Sequence, residues 1–232
     1  MQSFGIILAA GRGKRFSTQV KKQYVQVHGR PLLYYTLLAF EQSPVDHLVV
    51  VAGKEDMDYV RREIVKQYGF QKVQAVVEGG QERYDSVYQG LLSIPSQDPG
   101  DIVLIHDGAR AMVTPGLIRC MILAAKEYRG AVPVIPLKDT VRSRQGDFGG
   151  GVLDRSSLCL VQTPQSFDLT LCKRAYALLF AREEGRCNIT DDAMVVERFT
   201  GQNIRLVQGD PKNIKVTAPE DLEIAQLWLE KV

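Results

Sequence analysis

Histidine is scarce in this chain: His28, His47 and His106 are the only three in 232 residues, and none makes a zinc-ligand spacing. Nothing pairs them with a serine and an acid in the pattern of a hydrolase triad. Cys120, Cys159, Cys172 and Cys187 are widely spaced with no Cys-x-x-Cys pair, which fits reduced thiols in a cytoplasmic protein rather than a disulfide framework. Long apolar runs are missing too. The first one, Ile6 to Ala10, is too short to enter or cross a membrane and has no basic segment before it, so neither a signal peptide nor a membrane span is expected. An excess of one charge is also lacking: 29 Lys and Arg face 27 Asp and Glu, a net +2, which argues against a protein built to coat nucleic acid. No internal repeat and no Pro-, Gly- or Ser-rich linker divides the chain.

What is present is a rhythm. Short apolar runs ("FGIILAA", "HLVVVAG", "KVQAVVEGG", "DIVLIHDGAR") alternate with helical ones. The helical ones are "PLLYYTLLAFEQS", with Pro31 near its first turn, "EDMDYVRREIVKQYG", stopped by Gly69, "ERYDSVYQGLLSI", and "TPGLIRCMILAAKEYRG", started by Thr114 and Pro115. Continuous apolar strands between helices predict an α/β fold: one domain over 1–232, with a mostly parallel twisted sheet and helices on both faces. The rhythm breaks over 138–167, where "DTVRSR", "QGDFGGG" and "SSLCLVQ" predict a projecting β-hairpin arm. Helices return in "DLTLCKRAYALLFAREEG" and "TDDAMVVERFTG", with Thr190 a candidate N-cap. Strands "NIRLVQG" and "NIKVT" follow, then a last helix opened by a capping box from Thr217 to Glu220.

One stretch stands out against the balanced charge. Between Ile7 and Tyr24, "ILAAGRGKRFSTQVKKQY" gathers Arg12, Lys14, Arg15, Lys21 and Lys22 with no acid among them. It follows the first strand, at the sheet edge where ligands of open α/β folds bind. It is not a Walker loop, because the chain has no G-x-x-x-x-G-K-[ST]. Nor is it a dinucleotide fingerprint: position 16 is Phe16 and the next clear helix waits until Pro31. A glycine loop with fixed cations folded over an anion such as a triphosphate is the remaining reading, with solvated charge the alternative for Arg12 and Lys14.

The same stretch resembles the opening of the cytidylyltransferases that make CDP-methylerythritol in isoprenoid biosynthesis. "GGQERYDSV", "HDGAR", "KDTV", "LDR", "QTPQSF", "NITDDA" and "NIKVTAPEDL" follow in that family's order along almost the whole chain. Lys21 stands where the family usually has proline, Gly108 and Ala111 depart from its H-D-A-A-R-P, and Lys138 replaces a frequent arginine. The resemblance implies a Rossmann-like nucleotide-binding domain whose arm clasps a second subunit in a homodimer. It implies that CTP and a polyol phosphate, 2-C-methyl-D-erythritol 4-phosphate, react with the help of a divalent metal, in that family usually magnesium (Mg2+). Ala9, Ala10, Gly11, Arg15 and Lys22 would hold the nucleotide, and Gly80, Gln81 and Ser86 would read its base, although aspartate is common in the family at position 81. Asp107 would lie near the metal, ribose or substrate. Arg110, Thr140, Arg155, Thr190 and Lys215 would hold the polyol phosphate, with Thr140 and Arg155 coming from the neighbouring subunit. Arg15, Lys22 and Lys215 are the residues expected to act in catalysis.

Such a reaction needs no general base, because the attacking phosphate monoester, with a second pKa near ~6, is already ionised. That agrees with the poverty of histidine. His106, Thr163 and Gln165 are read as structural, and Asp139 and Asp154 as either orienting nearby cations or touching ligand. The competing readings are a cytidylyltransferase for ribitol 5-phosphate, a non-catalytic nucleotide-binding module and, weakest, a nucleic-acid binder.

Overall fold

The structure is a computed structural model that describes residues 1–11, 20–95, 98–181 and 188–229. Strand β1 (Ser3–Ala9) is the centre from which the sheet grows. After it come a small ribbon, β2 (Gln26–Val27) and β3 (Arg30–Pro31), and helix α1 (Leu32–Glu41). Next are β4 (His47–Ala52) and α2 (Met57–Tyr59), which widens into π-type turns over Val60–Lys66. Then follow β5 (Val73–Glu78), α3 (Arg83–Ser93), β6 (Ile102–Asp107), α4 (Pro115–Tyr128) and β7 (Gly130–Pro136). The remainder is β8 (Val141–Gln145), β9 (Phe148–Leu153), β10 (Cys159–Val161), β11 (Gln165–Asp168), α5 (Leu169–Ala181), α6 (Asp192–Thr200), β12 (Arg205–Gln208) and α7 (Pro219–Leu229).

The main sheet runs β10-β7-β11-β6-β1-β4-β5, with β12 paired to β7. β6, β1, β4 and β5 pair in parallel, as do β12 and β7, while β11 and β10 run antiparallel to their neighbours. Six of the eight strands therefore share a direction, and their carboxyl ends open on one edge. Along β1 the period of two divides the core. Ile7 and Ala9 pack on α1 and α4, and Phe4 and Ile6 pack on α3, α5 and α6. Side chains as fully buried as Ile6, Ile7, Leu37 and Tyr176 each contribute about 1.5–3 kcal/mol through lost apolar exposure. Among the described residues no helix is long and apolar enough to cross a membrane.

Four local expectations change. Within 138–167 the separate two-stranded sheet is β8–β9, from Val141 opposite Leu153 to Gln145 opposite Phe148, whereas β10 and β11 pair into the main sheet. The cap of α6 is Asp191, whose carboxylate accepts the Met194 N–H at 3.0 Å; Thr190 lies one residue outside it. At α7, Pro219 takes the first helical position, so the partner of Thr217 is Asp221 rather than Glu220. Its Oδ2 accepts the Thr217 N–H, the Thr217 hydroxyl and the Ala218 N–H at 2.7–2.9 Å. "NIKVT" is not a strand. Its Ile214 N–H turns back to Lys212 O at 2.7 Å, and its Val216 N–H bonds to Ala109 O at 2.9 Å, on the loop after β6 instead of on a strand edge.

Candidate active site

A cleft of about 670 Å³ opens where the carboxyl end of β1, the β5–α3 turn and the end of β6 meet. Its floor is backbone. Side chains are excluded from the turn after β5: a Cβ on Gly79 would lie 2.5 Å from the Ala10 Cβ and 2.8 Å from Ser86 Oγ. Ser86 Oγ instead accepts the Gly80 N–H at 3.1 Å, and a capping box between Glu82 and Asp85 starts α3 directly beneath. On the opposite wall, buried Gln23 donates from Nε2 to Ala9 O at 2.6 Å and Gly11 O at 3.1 Å. Those two bonds fasten the single turn Lys22–Tyr24 to the end of β1, and Lys22 reaches the cleft wall from that turn.

The charged centre is Asp107, the last residue of β6. Its Oδ1 receives Arg83 Nε at 3.2 Å and its Oδ2 receives Lys215 Nζ at 2.8 Å, with Arg110 Nε at 3.7 Å. Burial raises the pKa of Asp107, but Arg83, Lys215 and Arg110 together outweigh that effect and hold the carboxyl well below the usual carboxylate range. Arg83 is itself gripped from behind. Its Nη1 and Nη2 each lie 2.8 Å from the two oxygens of fully buried Asp192, which also accepts the Tyr176 hydroxyl at 2.6 Å. Burial works against the guanidinium, and Asp192 and then Asp107 more than offset it, so its pKa lies well above the ordinary arginine value. Arg110 donates from Nη1 to Asn213 O at 2.7 Å, which ties the Lys215 segment to the end of β6.

His106 is a structural neighbour of this centre. Its Nε2 lies 3.2 Å from Arg110 O, a group that can only accept, so Nε2 carries the proton. Nδ1 therefore accepts the Thr163 hydroxyl at 3.0 Å, and Thr163 Oγ1 in turn accepts the Asp107 N–H at 3.1 Å. Burial pushes the imidazole pKa down to about 3, more than the nearby Asp107 charge restores. The ring is neutral and fully committed to hydrogen bonds. Gln165 is structural in the same sense: its Oε1 accepts the Asp192 and Ala193 N–H groups.

The fold thus brings together Ala9, Ala10, Gly11, Lys22, Gly80, Gln81, Ser86, Asp107 and Lys215 along one cleft, with Arg110 beside it. Lys215 gets there from an irregular segment and not from a strand. Thr140, Arg155 and Thr190 are exposed and do not line the cleft of their own chain. Arg15, with Arg12 and Lys14, lies outside the described residues. Sequence reasoning assigned no role to Arg83, Asp192 and Tyr176, and none to Gln23. A signal for Arg83 did exist: an arginine at the first position of a helix opposes the helix dipole and calls for a carboxylate.

The departures at Gly108 and Ala111 are packed into this arrangement. Gly108 N–H bonds to Leu8 O at 2.9 Å, and a Cβ there would meet the same oxygen at 2.9 Å. Ala111 is buried under α1 and α4.

Comparison with known proteins agrees with this geometry. The family model described as 2-C-methyl-D-erythritol 4-phosphate cytidylyltransferase matches residues 4–231. Proteins of that name from Lachnoclostridium phytofermentans and Clostridium perfringens are 44% and 42% identical to this chain. Each alignment covers 97% of this chain, and 95% and 97% of the respective relatives. Among solved structures, the 4-diphosphocytidyl-2C-methyl-D-erythritol synthase of Anaerococcus prevotii superposes with a TM-score of 0.85 at 29% identity, covering 99% of this chain and 96% of its own. The 2-C-methyl-D-erythritol 4-phosphate cytidylyltransferase of Thermus thermophilus superposes with a TM-score of 0.77 at 33% identity, covering 98% of each chain. With its whole fold and its ordered motifs matched, this chain belongs to the 2-C-methyl-D-erythritol 4-phosphate cytidylyltransferase family.

Proposed function

We propose that this protein joins CTP to 2-C-methyl-D-erythritol 4-phosphate, giving CDP-methylerythritol and pyrophosphate in non-mevalonate isoprenoid biosynthesis. The observation that carries the reading is the meeting of Lys22, Arg83, Arg110 and Lys215 around one cleft whose floor is glycine backbone. A phosphate oxygen of the polyol phosphate attacks the α-phosphorus of CTP. The new P–O bond forms as the bond to pyrophosphate breaks, and the electron pair leaves with pyrophosphate. The difficulty is bringing two anions together, roughly four charges on the triphosphate and two on the monoester, so alignment and positive charge are what the site must supply. In this reading the β1 end holds the triphosphate, Lys22 and Arg15 meet its phosphates, and Gly80, Gln81 and Ser86 take the base. Arg110 and Lys215 receive the polyol phosphate, with Asp107 holding Lys215 and Arg83 at fixed positions.

A divalent metal fits this site only as a companion of the nucleotide. Among the described residues no group of three or more His, Cys, Asp or Glu side chains could cage an ion. Asp107 offers one carboxylate already placed among three cations, Arg83, Arg110 and Lys215. Magnesium, which commonly takes one protein carboxylate and otherwise phosphate oxygens and water, suits such a donor set. When bound it would neutralise phosphate charge, and Asp107 would supply one oxygen to it.

The reading also includes a homodimer. Phe148 is 80% exposed, and Val152 and Leu153 on β9 and Leu160 and Val161 on β10 add further uncovered apolar area. A second subunit covering it would bring Thr140 and Arg155 to the partner's cleft. A cytoplasmic location is supported by Cys120, Cys159 and Cys172, all of them free thiols.

The test is pyrophosphate release with each of four nucleoside triphosphates against 2-C-methyl-D-erythritol 4-phosphate and, separately, ribitol 5-phosphate. Release from CTP with the methylerythritol compound is expected. Turnover with ribitol 5-phosphate alone would overturn the assignment. Lys22→Ala is expected to lower kcat by about 10²–10³-fold, the scale of losing one transition-state charge contact.

A further inference from the structure

Lys21 belongs to the cationic stretch but does not line the cleft. Its ammonium is held by Glu55 and by Asp56 Oδ2, the latter at 2.6 Å, in the short turn that follows β4. The contact is partly sheltered, with 22% of the Lys21 and 15% of the Asp56 side chain exposed. It is also tight: a Cβ on Gly53 would stand 3.0 Å from Asp56 Oδ2 and 3.3 Å from Lys21 Nζ. Lys21 caps the turn Lys22–Tyr24, with its carbonyl accepting the Tyr24 N–H at 2.9 Å. Its backbone sits at φ −62° and ψ 138°; that φ is the value a proline ring would enforce, although no ring enforces it here.

Lys22 therefore stands between two anchors. Gln23 fastens one side of the turn to the end of β1, and Lys21 fastens the other side to the end of β4. We propose that Lys21 is a positioning residue: its ion pairs with Glu55 and Asp56 clamp the turn that carries Lys22, so that Lys22 faces the triphosphate before the nucleotide arrives. This rests on the reading of Lys22 as a phosphate-binding residue. Without the clamp the same turn must be ordered as CTP binds, and that ordering subtracts from CTP affinity. Salt acts in the same direction, because Glu55 is two-thirds exposed and its share of the pairing is screened.

The experiment compares initial rates of the full chain as wild type, Lys21→Ala, Lys21→Arg, Glu55→Gln/Asp56→Asn and the triple variant, with each substrate varied in turn. Lys21→Ala is expected to lower kcat/KM for CTP about three- to tenfold, the scale of a partly exposed ion pair. KM for the polyol phosphate and the thermal midpoint should stay at their wild-type values. Lys21→Arg, which keeps both pairs, should recover the rate. The two acid substitutions should match Lys21→Ala and add nothing to it in the triple variant. A Lys21→Ala rate equal to wild type, or fully additive losses in the triple variant, would overturn the clamp. Lys22→Ala in the same series separates the two readings. If Lys22→Ala is inactive while Lys21→Ala is unaffected, only the clamp fails. If Lys22→Ala turns over normally, the phosphate role of Lys22 fails and the clamp fails with it.

Discussion

Arg83 stands at the first helical position of α3, where the helix dipole disfavours a cation, and two carboxylates make the position tenable. Asp192 has the greater need of the pair, because it is fully buried and, among the described residues, has only Tyr176 besides Arg83 as a side-chain donor. Arg83→Ala is accordingly expected to destabilise the fold by about 3–5 kcal/mol in urea titration, by stranding a buried charge. Adding Asp192→Asn should recover a large part of that loss; equal stability of the single and double variants would contradict the pairing. His106 makes a second prediction at this scale. Folded, it gains a proton only near pH 3, and unfolded it does so near 6.5. The unfolded chain thus binds the extra proton between these values. The stability present above pH 6.5 is progressively lost as pH falls through that window. Asp107 has the same sign but acts lower, below its unfolded value of 3.8. Melting curves between pH 7 and 5 therefore report His106, and His106→Gln should flatten their slope.

The elements follow the sequence where a period is long and caps are local. α4 begins where Thr114 accepts the Leu117 N–H and Pro115 occupies the first position, and Gly69, at φ +70°, ends the α2 segment. Elements whose partner is distant were less legible. "SSLCLVQ" reads as part of a hairpin, yet its strand pairs with β7, because an apolar strand joins whichever edge tertiary packing leaves open. "NIKVT" has the apolar alternation of a strand but finds no edge, and Val216 bonds to the loop at Ala109. The β8–β9 arm has its own register and lies outside the main sheet, so altering its tip should leave the core intact. Phe148→Asp, tested by sedimentation, is expected to shift the proposed dimer toward monomer with little change in the thermal midpoint. An unchanged mass would place the subunit contact elsewhere.

For the molecule as a whole, no group of three or more His, Cys, Asp or Glu side chains among the described residues could cage a metal. Chelation with EDTA should abolish turnover, added magnesium should restore it, and the melting temperature of the protein without nucleotide should not move; a fall on chelation would reveal a structural ion. The sequence by itself determined the layered α/β plan, the glycine turn that only backbone can occupy, and the stock of cations near the strand ends. Each of those is written in periodicity and residue type over a few neighbouring positions. Which cation meets which carboxylate was decided only by tertiary structure. Arg83 finds Asp192 across 109 positions, Lys215 closes on Asp107 from an irregular segment, and Lys21 turns away from the cleft toward Glu55 and Asp56. A separation near 3 Å between such partners depends on strand order and helix packing summed over the whole chain, and no local pattern carries that sum.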